Sequence, residues 1–143
     1  MRAKEKVTIT KAKLDNFVSL FEDIRTFTSK KFPYLSKVKL NWCEEAERSH
    51  ARTFRFFAHT GHIPNTICIA SEFLSIPKKY IRAVILHEMG HIICIKEGLY
   101  KDNPPPRHIK KWQERLANEI IEEEFGIKLV NDPEYHYLQK IAN

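Results

Sequence analysis

The sequence predicts one α+β domain over residues 1–143, with an N-terminal helix, a sheet of three or four strands, a central helix and a further helix after it. Three short runs rich in β-branched and aromatic residues lie between residues 38 and 70. Before and after them, apolar residues recur every three or four positions, which is the spacing of helices with a buried face. A chain of this length buries roughly two thirds of its unfolded surface, so its core needs no disulfide framework.

The N-terminal helix is predicted from about Thr10 to Lys31. Pro33 cannot continue a helix, so the helix should end before it. Its apolar face at helical spacing consists of Leu14, Phe17, Val18, Phe21, Ile24 and Phe27.

Strands are predicted at three places. Val38–Trp42 alternates between apolar and polar residues, Arg52–Ala58 is a second run, and Thr66–Ala70 is a third. The segment His59–Asn65 between the last two contains a glycine and a proline, so it predicts a turn.

The central helix is predicted over about Pro77–Glu97. Proline suits the first turn of a helix, and Gly98 suits the position after the last turn. Apolar residues surround nearly the whole middle of this segment, so the helix should be buried.

A last helix is predicted over about His108–Phe125. Its apolar stripe consists of Ile109, Trp112, Leu116 and Ile120.

The central helix carries the sequence His87-Glu88-Met89-Gly90-His91. Residues four apart lie one turn apart on nearly the same face of a helix, so the two imidazoles can face one ion. Zinc accepts nitrogen ligands, and the pattern matches the His-Glu-x-x-His motif of metalloproteases. Glu88 lies beside the pair, where it can act as general base on a zinc-bound water. Two imidazoles and a carboxylate in an apolar helix need partners, which favours a metal site over a chance match.

A catalytic zinc ion normally has three protein ligands, so the two histidines need a third residue. Glu114 lies on the following helix, and Asn118 lies four residues later on the same face. Glu114 can bind the metal from across the helix pair, while Asn118 can hydrogen-bond a ligand histidine. His108, at the start of that helix, is the alternative third ligand, and Glu119 is a further candidate.

The run from Glu114 to Asn118 reads Glu-Arg-Leu-Ala-Asn and, after the histidine motif, resembles the Glu-x-x-Ala-Asn/Asp pattern of gluzincin peptidases. These include the ImmA/IrrE-type peptidases, the M48 peptidases and the single-domain archaeal minigluzincins. The resemblance covers about residues 67–125. Many members carry aspartate at the position of Asn118.

The resemblance implies a small zincin-like fold and a zinc-dependent peptidase that acts on a peptide or protein. It implies one zinc ion held by His87, His91 and Glu114, with Glu88 as the general base. It also implies that Thr66–Ser71 is the edge strand beside the zinc helix, where an extended substrate could pair with free backbone groups.

Two other functions stay open. The segment from Arg107 to Trp112 resembles a histidine segment of SprT-like, DNA-associated metalloproteases, in which case His108 would be the third ligand. The net charge of +6 and the pI near 9.2 suit an acidic partner such as nucleic acid, although the dispersed basic residues support this only weakly. The other function is a non-catalytic zinc-binding regulatory module.

The C-terminal segment, residues 131–143, is predicted to form either a short helix or a docked tail, and it contains Tyr135, His136 and Tyr137. These side chains, with His59 and His62, are candidates for stabilising an oxyanion near the metal. The tail could also lie in the cleft and keep the enzyme latent, as the minigluzincin resemblance allows.

Cysteine usage and hydropathy limit the location of the protein. The three cysteines have no Cys-x-x-Cys spacing, which argues against a thiolate zinc site and predicts free, buried thiols. No apolar stretch is long enough to cross a membrane, and no apolar segment follows the charged N-terminus as in a signal peptide. We therefore expect a cytoplasmic protein with no membrane span.

Overall fold

The computed structural model describes residues 10–42, 58–60, 65–69, 74, 76–99 and 111–129. These residues confirm the predicted α+β class. In chain order they form helix α1 (Lys11–Ser29), a 3-10 helix (Pro33–Lys37), strands β1 (Lys39–Trp42), β2 (Ala58–Thr60) and β3 (Thr66–Ile69), and helices α2 (Lys78–Lys96) and α3 (Lys111–Phe125).

Helix α1 begins at an N-cap threonine, because the Thr10 hydroxyl accepts a hydrogen bond from the Lys13 backbone N–H at 3.1 Å. The helix ends at Ser29, before Pro33, as predicted. Its buried residues are Phe17, Leu20, Phe21, Ile24 and Thr28.

The predicted apolar face of α1 was wrong at three positions. Leu14, Val18 and Phe27 are 36%, 41% and 45% exposed. Since a helix turns about 100° per residue, these positions lie roughly 60–100° from the centre of the buried face, which passes through Phe17. Thr28 falls near that centre and is buried, and Leu20, about 60° away on the side opposite Leu14, is buried as well.

The described strands form a sheet in the order β1-β3-β2, with β1 parallel and β2 antiparallel to β3. Strand β3 is therefore central, and the prediction that residues 66–71 form the sheet edge was wrong. All four residues of β3 are buried, and an apolar strand covered on both faces belongs inside a sheet. Among the described strands, β2 lies at the edge and contacts α2.

The described part of the second predicted strand is short. Of the predicted run, Ala58 lies in β2, which continues to Thr60 in the segment predicted as a turn. The rest of that run, residues 52–57, lies outside the described residues.

Helix α2 is buried over eleven consecutive residues, from Val84 to Cys94, which confirms the predicted central helix. It ends at Lys96, two residues before Gly98, whose φ of 71° lies in the left-handed region. The Leu99 backbone N–H donates to the Cys94 carbonyl at 2.8 Å, which satisfies a carbonyl that the helix leaves open. Gly98 therefore ends the helix where the sequence predicts.

Helix α3 ends at Phe125, before Gly126 at a φ of 70°, as predicted. The predicted apolar stripe was wrong at Trp112, which is 41% exposed, while Leu116 and Ile120 are half-buried. Ile109 lies outside the described residues. The buried residues of α3 are Gln113, Ala117, Asn118 and Ile121. The helix therefore turns a partly polar side toward α2, which hydrophobic periodicity does not detect.

The C-terminal end of α3 is anchored to α1. The Lys31 ammonium donates to the Glu124 backbone carbonyl at 3.0 Å and lies 3.0 Å from the Glu124 carboxylate. The rings of Phe27 and Phe125 pack with centroids 5.4 Å apart. A cation beside the last carbonyls of a helix is favourable, so this contact helps to hold α3 in place.

Two further sequence predictions can be checked directly. Cys68 and Cys94 are buried thiols outside any disulfide, as predicted, whereas Cys43 lies outside the described residues. No helix in the described part of the chain is long and apolar enough to cross a membrane.

Candidate metal centre

Helix α2 brings the two motif histidines together. His87 and His91 lie one turn apart, and their Nε2 atoms are 3.1 Å apart. The ring centroids are 4.6 Å apart with an interplanar angle of 83°, so the two rings meet edge to face. Both side chains are buried, and both rings therefore direct a nitrogen at one point inside the protein.

Helix α3 brings the Glu114 carboxylate to that point. One oxygen lies 2.8 Å from Nε2 of His87, and the other lies 2.9 Å from Nε2 of His91. The side chain of Glu114 is 32% exposed, whereas those of His87 and His91 are 5% and 1% exposed. The cluster is thus closed on the histidine side and reaches solvent at the carboxylate.

Asn118 forms a hydrogen bond with Nδ1, the other ring nitrogen of His87. Its side-chain oxygen lies 2.6 Å from Nδ1 of His87, and Asn118 is buried. An amide oxygen is an acceptor, so Nδ1 carries the proton and donates it. This hydrogen bond orients the ring, and when the imidazole is neutral it leaves a lone pair on Nε2, the form that binds metals.

Glu88 lies beside the pair of histidines and is buried. One ligand atom from each of His87, Glu88 and His91 lies within 4.8 Å of the others, so this buried group could hold a metal ion. Glu114 makes direct contacts of 2.8 and 2.9 Å with both Nε2 atoms, which favours Glu114 over Glu88 as the third ligand. In that arrangement Glu88 would lie beside the metal rather than bind it.

The charges of this cluster shift the pKa values of its members. Burial is the largest effect on His87 and lowers its pKa, but the hydrogen bond and charge of Glu114, the charge of Glu88 and the hydrogen bond to Asn118 together raise it to about 9. Burial raises the pKa of Glu114, but its hydrogen bonds and charge interactions with His87 and His91 hold it well below the usual range. At neutral pH, a metal ion that enters the cluster must therefore displace a proton from His87.

A cation suits this donor set better than protons alone do. For both Nε2 atoms to donate to the carboxylate, two N–H groups would have to lie side by side with their nitrogens only 3.1 Å apart. A divalent ion can interact favourably with both lone pairs and with the carboxylate at once. The residues present therefore fit a metal ion.

The remaining predicted site residues lie largely outside the described part of the chain. These are the alternative ligand His108, the tail residues Tyr135, His136 and Tyr137 with the rest of residues 131–143, and His62. The backbone of His59 lies in β2, where it pairs with Cys68. Cys94 belongs to the buried part of α2 and is not among the grouped ligand atoms.

Two features of the helices that carry the site were not predicted from the sequence. Gln113 is only 1% exposed, although the residue next to it, Trp112, was expected to be the buried one. The close contact of Gly90 is with the backbone of Ala117, and the sequence did not indicate which element approaches Gly90. Neither residue type has a spacing rule that would have identified it.

Replacing Asn118 with alanine is expected to weaken metal binding roughly 10- to 100-fold, the usual cost of losing a partner that orients a ligand histidine. The variant keeps His87, His91 and Glu114, the side chains that could hold the ion, so the stoichiometry at saturating metal should stay at one ion. Titration of the metal-free protein against a chromophoric chelator measures both quantities. Glu119→Ala, at the neighbouring exposed position, is the control, and equal affinities for the two variants would contradict the role of Asn118.

Comparison with protein-family models, with curated proteins and with solved structures gives no match for this chain. The case for a function therefore rests on the residues of this site.

Proposed function

We propose that this chain is a zinc-dependent peptidase of the gluzincin type, in which His87, His91 and Glu114 hold one zinc ion and Glu88 transfers protons. The observation that supports this most strongly is the contact of one carboxylate, from Glu114, with both Nε2 atoms of the histidine pair. This contact joins the two sequence motifs on which the resemblance to gluzincins depends.

The spacing of the donor atoms suits zinc. Zinc bound in a tetrahedron at about 2.0–2.1 Å separates neighbouring ligand atoms by roughly 3.3–3.4 Å. The two Nε2 atoms are 3.1 Å apart, close to this spacing. One oxygen of the Glu114 carboxylate lies 2.8 Å from Nε2 of His87 and the other lies 2.9 Å from Nε2 of His91, so a small outward shift of the three side chains makes room for the ion. Two nitrogens and one carboxylate oxygen are also a ligand set of known zinc peptidases.

The chemistry would be divided between the ion and the protein. Zinc, when bound, supplies Lewis acidity that polarises a peptide carbonyl and lowers the pKa of water. The Glu88 carboxylate would accept a proton from the attacking water and later donate it to the leaving amine. Asn118 would keep Nδ1 of His87 protonated, so that Nε2 stays directed at the site.

Strand β2 is the better candidate for pairing with an extended substrate. Among the described strands it lies at the sheet edge and contacts α2, the helix that carries Glu88. Backbone hydrogen bonds along such an edge bind a chain with little regard to its sequence. Substrates would therefore be peptides or unfolded segments of proteins, whose backbones are free to pair.

Removal of the metal tests this proposal. A chelator should abolish cleavage of an unfolded protein such as casein, as followed by mass spectrometry, and zinc should restore it. Zinc at 100 times its Kd stabilises the folded protein by about 2.7 kcal/mol, which corresponds to a rise in Tm of roughly 5–10 °C.

Mg²⁺ serves as the control for the zinc addition, because it prefers oxygen ligands and should restore neither cleavage nor Tm. Cleavage by a preparation that element analysis shows to be free of metal would contradict the proposal.

A further inference from the structure

The two helices of the metal site touch at one very close point. A Cβ atom built on Gly90 of α2 would lie 2.4 Å from the backbone oxygen of Ala117 in α3, and 3.0 Å from its carbonyl carbon. The obstacle is main chain rather than the flexible end of a side chain, so it cannot turn aside. Glycine is therefore the residue that permits this approach.

The residues that form the metal site surround this contact at the same offsets on both helices. On α2, His87 lies three residues before Gly90 and His91 lies one residue after it. On α3, Glu114 lies three residues before Ala117, and Asn118 lies one residue after it. The contacts of 2.6, 2.8 and 2.9 Å that build the site all cross between these two sets of residues.

The size of the displacement decides whether this contact matters for the metal. Ordinary contact of a Cβ atom begins at 3.4 Å, so an alanine at position 90 would have to move the α3 backbone away by about an ångström from the present 2.4 Å. Metal–ligand distances tolerate changes of only about 0.2 Å. A shift several times larger would take Glu114 and Asn118 out of reach of the histidines.

We propose that Gly90 and Ala117 are positioning residues, whose backbone contact sets the separation of α2 and α3 at which Glu114 and Asn118 both reach the histidine pair. This inference rests on the proposed metal site and explains how two helices joined through a long intervening segment hold a ligand set together. A larger side chain at position 90 would meet the backbone of Ala117, and Ala117 itself has no exposed surface into which a larger side chain could extend.

The test compares Gly90→Ala with wild type in the full-length, metal-free chain. We expect the zinc affinity to fall roughly 10- to 100-fold, which is the usual cost of losing a residue that orients a ligand. We also expect the visible absorption of bound Co²⁺ to change, because that absorption reports the coordination geometry. A glycine of no special role would give the opposite result: alanine favours helix, so Tm would rise while affinity and spectrum stayed the same.

Gly126→Ala is the matched control. No atom lies within 4 Å of a Cβ at that position, but its φ of 70° strains an alanine, so stability should fall without a change in metal affinity or Co²⁺ spectrum. This separates loss of the site from loss of stability.

Ala117→Ser enlarges the other residue of this contact by one atom, at a position with no exposed surface, and it serves if Gly90→Ala does not fold. Reduced affinity in either folded variant, with wild-type affinity in Gly126→Ala, supports the inference. The inference is overturned if a folded Gly90→Ala variant keeps wild-type affinity and an unchanged spectrum. If Gly90→Ala is unfolded, the same result for Ala117→Ser overturns it. In both cases the metal site itself stands. Failure of wild type to bind zinc or Co²⁺ overturns the site and the inference together.

Discussion

Replacing Glu88 with glutamine is expected to lower the rate of peptide hydrolysis by about 100- to 10,000-fold while one zinc ion stays bound. Glutamine has nearly the shape of glutamate but cannot accept a proton from water. His87, His91 and Glu114, which carry the close contacts of the site, are unchanged. The measurement is kcat on an unfolded protein substrate, with the zinc content of the same preparation determined by element analysis.

The control for this variant is Glu119→Gln, which makes the same chemical change at an exposed position of α3. It should keep wild-type activity. If Glu88→Gln loses its zinc, then Glu88 is a ligand and the assignment of the third ligand must change. If it binds zinc and cleaves as fast as wild type, Glu88 is not the base. If no variant and no wild-type preparation cleaves any substrate although zinc binds tightly, the chain is better described as a zinc-binding module.

Replacing Glu114 with alanine is expected to weaken zinc binding by more than about 100-fold, which exceeds the usual cost of losing an orienting partner. Its carboxylate is the group in contact with both Nε2 atoms, and it supplies the negative charge that a divalent ion needs in a buried place. The Kd for zinc, measured by competition with a chelator, checks this expectation.

His108→Ala decides between the two predicted third ligands. Under the gluzincin assignment it should bind zinc as wild type does, whereas Glu114→Ala should not. The reverse result, together with cleavage that DNA stimulates, would favour the SprT-like alternative. Glu119→Ala gives the baseline for removing a carboxylate from α3 without touching the site.

The parts of the site that follow from one helix could be predicted from the sequence. A spacing of four residues places His87 and His91 on one face whatever surrounds them, because the geometry of the helix is local. The same rule places Glu114 and Asn118 on one side of α3. The burial of α2 was also predictable, since apolar residues surround its middle.

The parts that depend on contacts between elements were predicted less well. Residues 66–71 were expected at the sheet edge, but two buried isoleucines and a buried cysteine fit the centre, and strand order is decided by distant pairing. Trp112 was expected on the buried apolar stripe of α3, yet it is exposed. The buried side of α3 carries the polar residues Gln113 and Asn118 beside Ala117 and Ile121, so apolar spacing alone does not identify it.

The uneven exposure of the cluster has a kinetic consequence. Glu114 is 32% exposed, while the two imidazoles are almost wholly covered. An ion arriving from water therefore meets the carboxylate first, and a departing ion passes it last. We therefore expect a bound ion to exchange with bulk solution on the side of this carboxylate, without any opening of the helix pair.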